Sequence, residues 1–494
     1  MGNGNARMMS LEINAMNESR SLARRLEEAA SVKRASLSPL ACSRRGAAGN
    51  AILKLVQVTM TNLFHLMRRQ PLPGISMHTT LAVAALLFCL ICLTETHVRA
   101  QENPPAALVA QEQPLRAWLP VPLISDESDQ AFALLQEHTS IFAANNNIAV
   151  EYRIKDVGVT GGIMASIRSA SEVAPGALPD VALIRRRDFT PIQARQYLYS
   201  METLFSSALI SDLGIALEFG QIPQDGGMAL YGLPYFFDVL LAVSTQPLAD
   251  ASLGVRFDDV LANDATLLFP AARSTGLNQT FYLQYLAAGG SASRNDVVAI
   301  DEGALFAVLE FYEQLVEQEL IPIDVLTYQS PADYRPEFVS DRDQARVAVF
   351  DSSEYLSMLD QHDKALFASN IPTANGESLA TRDGWLWVII TPDQTRQTLS
   401  ARFLEWMTEP AFHADFSRAL YQLPTQPAIL RESLPEDVDH QFFEDLLYKG
   451  ILPLPESEGG SAPRIMQEAL ARVLLGETSA ASATRQVMEQ FGNR

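Results

Sequence analysis

Two clusters of side chains in this sequence have types and spacing suited to ligand chemistry. Arg185-Arg186-Arg187, closed by Asp188, is a basic run in an otherwise acidic chain. A guanidinium matches a phosphate or a uronate carboxylate in bidentate fashion; the competing reading is a solvated loop. Trp385 and Trp387 flank Leu386, so on a strand they share one face. That face could stack on the C–H side of a sugar or pack a core. Catalytic signals are weak by contrast. The histidines beyond residue 100 are His138, His362, His413 and His440, and no two are close enough in sequence to seed a zinc site. The sequence has no GxSxG elbow, no phosphate-cradling loop and no Tyr-Tyr pair. No metal and no cofactor is expected.

Cysteine gives a further boundary. Cys42, Cys89 and Cys92 all precede residue 101, so the rest of the chain has no disulfide framework, no thiolate site and no cysteine nucleophile. Residues 77–101, MHTTLAVAALLFCLICLTETHVRAQ, explain that boundary. Arg68-Arg69 precede an apolar run from Leu81 to Leu93, and Val98-Arg99-Ala100 ends the stretch. The run is shorter than the ~20 residues of a membrane span. A basic start, a short apolar run and a small-residue end read as a secretory signal peptide over 67–100, translated from Met67 and cleaved after Ala100. Residues 1–66 then read as an upstream extension and 101–114 as a disordered leader. Neither Cys89 nor Cys92 follows the small residue a lipid anchor requires, so none is expected.

Residues 1–100 carry 12 of the 37 basic and 5 of the 58 acidic residues, which leaves 25 against 53 and a net of −28. Such a chain repels nucleic acid and anionic lipid surfaces and suits an exported protein.

The 394 residues after the signal exceed what one compact core usually serves, ~250–300, so two lobes are expected. Strand and helix patterns alternate. Leu115–Leu119, Ile148–Ile154 and Val181–Ile184 read as strands, with helices over Asp129–Ala144 and Gly162–Ser171 between them. Gly303–Gln318, Ser400–Thr408, Ala462–Leu475 and Ser479–Phe491 read as helices, Arg346–Phe350 and Leu386–Ile390 as strands, and Pro455 to Gly460 as a loop. The opening strand–helix order, 115–184, predicts an α/β lobe with a mostly parallel sheet.

The order of segments resembles extracellular solute-binding proteins of family 1, the maltose-binding-protein-like proteins of ABC importers. The match rests on LRAWLPVP and IAVEYRI at the start, Pro179-Asp180-Val181 entering a strand, Tyr231-Gly232-Leu233-Pro234-Tyr235, and LLFPAARSTGLNQTFYLQYLAAGG. ARVAVFDSSEYLSML and LPTQPAIL complete it. It spans about Leu115 to Phe491. One departure is Ala242-Val243-Ser244-Thr245, where many members read "YN". The resemblance implies a type II periplasmic-binding-protein fold with discontinuous lobes joined by crossing strands: 115–241 plus 380–422 in one, 242–379 plus 423–494 in the other. It implies a periplasmic or secreted monomer that closes on a solute, carbohydrate first, and delivers it to an ABC permease.

A cleft between such lobes is where ligands bind. The expected contacts are Trp118 at the end of the first strand, Arg187 and Asp188 after the Pro179-Asp180-Val181 strand, and Tyr235 and Phe236 at the approach to the crossing. Asn278 and Gln279 before a helix, Asp351, Ser352 and Tyr355 after a strand, and Trp385 and Trp387 complete the set. Tyr235 and Phe236 could equally pack the hinge, and Asp180 could cap its strand or tether a neighbouring helix. The alternatives in function are a secreted carbohydrate-active enzyme on a similar scaffold, or a binder of a non-sugar solute: a polyamine for an acidic cleft, a phosphodiester for the arginine run.

Overall fold

The computed structural model describes residues 113–492, apart from 127–128, 159, 225, 249–253, 274–276, 292–299, 341–344, 362–364, 437 and 452–460. The upstream extension, the signal peptide, most of the leader, His362 and the Pro455–Gly460 loop therefore lie outside the described residues. No helix among the described residues is long and apolar enough to cross a membrane.

The chain opens with β1 (Leu115–Pro120), α1 (Gln130–Asn146), β2 (Val150–Lys155), α2 (Ile163–Val173) and β3 (Val181–Arg185). Then come α3 (Pro191–Tyr197), α4 (Ser207–Leu213), the hairpin β4 (Gln221–Gln224) and β5 (Gly227–Leu230), and the long β6 (Leu233–Ser244). A second set follows: α5 (Phe257–Ala262), β7 (Thr266–Leu268), α6 (Gln279–Ala287), α7 (Glu302–Glu317), α8 (Arg335–Phe338), β8 (Arg346–Asp351), α9 (Ser352–Gln361) and β9 (Phe367–Ser369). The chain returns through β10 (Arg382–Ile389), α10 (Gln394–Met407), α11 (Pro410–Ala419), β11 (Leu423–Pro424), α12 (Pro427–Ser433) and α13 (His440–Lys449), and ends in α14 (Ser461–Leu474) and α15 (Ala480–Gly492). The helices start where the sequence supplies a cap. Asp129, Asp301, Asp393 and Asp439 each accept a hydrogen bond from a backbone N–H of the first turn, which satisfies an otherwise orphaned donor.

The main sheet runs β2-β1-β3-β10-β6-β8-β7, with β9 and β11 also on β6. The opening strands are parallel as expected, and the sheet as a whole is mixed. β1 pairs parallel with β2 and β3, and β7 with β8, whereas every pair made by β6 and β10 is antiparallel. Local strand–helix alternation gives no sign of a strand that doubles back between two halves, so the antiparallel pairs are not legible from it. β6 is the joint. Its residues 233–239 pair with β10, and its residues 240–244 pair with β8 and β9.

The apolar interior follows sheet faces. On β8, Ala348 and Phe350 join the core built on β1, β3 and β10, while Val347 and Val349 join the core of α6, α7 and α14. Successive strand residues point to opposite faces, so one strand serves both cores. The stretch from 423 to 447, expected in the second lobe, packs on the first core through Leu423, Leu430, Phe443 and Leu446. Its physical reason is β11, which pairs with Phe236 and Phe237 of β6 and ties α12 and α13 to that side. Residues 466–487 lie in the second core.

Candidate functional site

The middle of β6 sets a charged site by register alone. Asp238 lies directly opposite Asp383 of β10, and two residues on, Leu240 lies opposite Asp351 of β8. Residues paired across antiparallel strands share a face, as do positions i and i+2. Asp238, Asp383 and Asp351 are therefore on one face of the crossing, supplied by three strands. All three are half-buried. Gly384, beside Asp383, has φ +137°, and a Cβ there would meet the Phe236 carbonyl oxygen at 2.1 Å. Only glycine lets β10 come this close to β6.

Three groups balance these carboxylates in part. Arg187 donates from Nε to Asp383 Oδ2 at 2.6 Å, with side chains 44% and 17% exposed. Ser352 Oγ and the Ser353 backbone N–H donate to Asp238 Oδ1 at 2.8 and 3.0 Å, and Ser353 Oγ donates to Oδ2 at 2.7 Å. Asp238 thus caps the first turn of α9 from another strand, and Ser352 accepts from the Val239 N–H at 3.1 Å. Asp351 is held well above the usual carboxylate range, by burial first and by the Asp238 charge second, with Arg187 opposing. Asp238 is raised by burial, against the lowering effect of its serine donors. Like charges at this spacing cannot all ionise at low cost. The Arg187 guanidinium is held charged by Asp383.

The structure brings Arg187, Asp351 and Ser352 of the expected residues into this cluster. It uses the others differently. Asp188 is tied to Arg185 in two hydrogen bonds of 2.9 and 3.1 Å, and Arg186 donates to the Phe189 carbonyl. Neither of these arginines is the open anion receptor that the run suggested. Tyr235, Phe236 and Trp387 are fully buried. Tyr235 donates to the Met407 carbonyl at 2.9 Å, and His413 stacks on its ring at 4.3 Å. Trp387 packs edge-on to Tyr235 and Phe403. These aromatics build the core because β6 and β10 are central strands, covered on both faces. Trp385 and Trp118 are also buried, and Lys155 Nζ sits 4.5 Å over the Trp118 ring. Tyr355 is buried on α9 and stacks toward Phe443. Asn278 caps α6 through Phe281 N, and Gln279 is half-buried at the same helix start. Asp180 tethers α10 by accepting from Arg396 and also accepts from the Arg116 N–H.

Asp238, Ser353 and Asp383 were missed. A signal existed for the first: Asp238 is the one charge inside the apolar run LPYFFDVLLAVS, a costly placement unless it has partners or a role. Among the described residues no group of His, Cys, Asp and Glu could hold a metal ion.

The likeness to solved structures decides the architecture. A cyclic alpha-maltosyl-1,6-maltose binding protein from Arthrobacter globiformis matches with a TM-score of 0.59 at 16% identity, covering 76% of this chain and 97% of its own. UgpB from Mycobacterium tuberculosis, in complex with glycerophosphocholine, matches at 0.57 and 16%, covering 77% and 97%. Maltose-bound MalE3 of T. maritima matches at 0.53 and 15%, covering 76% and 99%. The fold is that of the type II periplasmic binding proteins. No family model matches the chain, and no curated protein matches it. In this chain the sheet joint carrying Asp238, Asp351 and Asp383 is where β10 and β8 meet on β6.

Proposed function

We propose that the protein is a periplasmic or secreted solute-binding protein that closes two lobes on a carbohydrate and hands it, as a monomer, to an ABC-type permease. The observation that carries this reading is the convergence of three half-buried carboxylates and Arg187 on one face of the crossing strands. Sugar hydroxyls donate to carboxylates and accept from a guanidinium, so such a set can hold a polyol from both sides. The fold supports the reading, since two of the solved structures it resembles hold maltose and glycerophosphocholine. Lobe closure would bury the solute and mark the loaded state for the permease.

The acid excess favours one second reading, a cationic solute such as a polyamine, whose ammonium groups would replace the protons the carboxylates retain. A phosphodiester fits less well, because Arg187 is already held by Asp383 and Arg185 by Asp188. A carbohydrate-active enzyme differs from both in turning its ligand over.

Thermal melting and calorimetry with maltose, maltotriose and spermidine test these readings. A true ligand raises stability by ~2.7 kcal/mol at a hundredfold excess over Kd, and Asp383→Asn weakens it about tenfold or more. Selective binding of spermidine moves the assignment to the second reading. Release of reducing sugar from either oligosaccharide overturns the binding-protein assignment, as does silence across the panel.

A further inference from the structure

On the strands that carry the carboxylates, alternate residues face the other way. Phe237 and Arg382, neighbours of Asp238 and Asp383, line a cavity of about 210 Å³ on the reverse face of the crossing, walled by α4, α12 and α13. Far more than one water fits in this space, since ~10–15 Å³ admits a single molecule. It is smaller than the ~300–1,000 Å³ of drug-sized sites.

Arg382 is the unusual wall. Its side chain is 5% exposed, and a guanidinium stays protonated in proteins. Nη1 donates to the Leu447 carbonyl at 3.1 Å, one of the open carbonyls at the end of α13. Nε has no partner among the described residues. Among the described residues its one ion pair is to Glu218, at 3.8 Å and 65% exposed. The stem is held in place by Gly450, where a Cβ would lie 2.8 Å from Arg382 Cγ, and the guanidinium lies 5.7 Å from the Phe237 ring centroid. A buried cation with one neutral hydrogen bond and one distant, solvated partner is under-compensated. Two acids line the wall: Glu444 is taken by Arg431 at 2.7 Å, and Asp212 is exposed at the rim, and neither forms an ion pair with Arg382 among the described residues. Burial lowers the Arg382 pKa, with Glu218 only partly opposing.

We propose that this cavity binds a small oxyanion, a carboxylate or a phosphate bearing a short apolar tail. The oxyanion pairs with the part of the Arg382 guanidinium that faces the cavity, and the tail lies against Phe237, Leu213 and Leu430. The site is distinct from the carboxylate cluster, which faces the opposite side of the same strands, and it does not rest on the solute assigned to that cluster.

The test uses the full chain, with butyrate, inorganic phosphate and butylammonium as probes in calorimetry. Butyrate or phosphate is expected to bind and butylammonium is not; butyrate alone assigns the carboxylate source, phosphate alone the phosphate source. Arg382→Gln should weaken the anion at least tenfold. Because a buried arginine can be needed for folding, Ile215→Trp, at the exposed rim of the cavity, is the second variant and should also reduce binding tenfold while leaving the fold intact. Equal binding of butyrate and butylammonium, no binding of either anion, or anion binding untouched by Ile215→Trp in a folded protein overturns the proposal.

Discussion

Two ionisable sites lie three residues apart on β6, and they are treated in opposite ways. At Tyr235 the buried His413 stacks on the ring, with Nε2 3.1 Å from the Tyr235 carbonyl and Nδ1 3.3 Å from Gln426 Oε1. Each ring nitrogen has a partner, and burial holds the histidine neutral, with a pKa lowered to about 4. At Asp238 the carboxylates are half-open, like-charged and only partly compensated. A polar group that serves structure is enclosed and fully paired. A group left with surplus charge at an accessible joint is available to something else. Removing each site in turn should therefore separate loss of fold from loss of binding.

The largest effect belongs to the core. Trp387→Ala removes a fully buried ring between Tyr235 and Phe403, and large-to-small changes of this kind cost about 3–5 kcal/mol. Denaturant melts should show that loss, while Kd per folded molecule for the solute that stabilises the wild type stays near its original value. A large rise in Kd with normal stability would return Trp387 to the binding surface.

Next comes acid. His413 binds its proton less readily in the fold than in the unfolded chain, so its stability contribution is present above ~6.5 and is lost as pH falls toward 4. The expected loss is about 3 kcal/mol across that window. His413→Gln should flatten the acid limb of the stability profile. An unchanged limb would mean that other groups control acid unfolding.

The carboxylates carry the opposite sign. Asp238 and Asp351 hold protons more tightly folded than unfolded, so their favourable contribution exists below ~4 and is lost as pH rises. Asp351→Asn should raise the melting temperature at pH 8, leave it unchanged near pH 4, and weaken solute binding about tenfold, ~1.4 kcal/mol. A variant less stable at pH 8 would show that the Arg187 attraction outweighs the carboxylate repulsion.

The same contrast explains what the sequence could reveal. Period and caps place α1, α7 and α15 within a few residues of their observed ends, because local spacing carries that information. Tyr235, Phe236 and Trp387 stand among the expected ligand contacts with hinge or core packing as the competing reading, because residue type cannot tell a central strand from a cleft wall. That β6 is a central strand depends on β10 and β11 arriving beside it from 143 to 188 residues away. Asp351 and Ser352 stand among the expected residues because they follow a strand end, where a site is expected, and the structure brings them into the carboxylate cluster. Asp383 has no such signal until β10 is laid against β6 and its carboxylate falls opposite Asp238. Charge sites at a joint are made by register, and register is a long-range property.

The smallest effect sharpens the contrast within the arginine run itself. Asp188 sits one residue beyond Arg187 and was expected to bind solute, but both its oxygens accept from Arg185, in a pair whose side chains are each 26% exposed. Pairs this solvated contribute ~0–1 kcal/mol. Asp188→Asn should therefore lower stability by less than about 1 kcal/mol, and high salt should shrink even that difference. Solute Kd should be unchanged, because the group that reaches the cluster is Arg187, which is held from the other side by Asp383. Calorimetry on Asp188→Asn beside Asp383→Asn tests this directly. Matching losses of affinity in the two variants would extend the binding site along the run to Asp188; a loss confined to Asp383→Asn would fix its edge at Arg187.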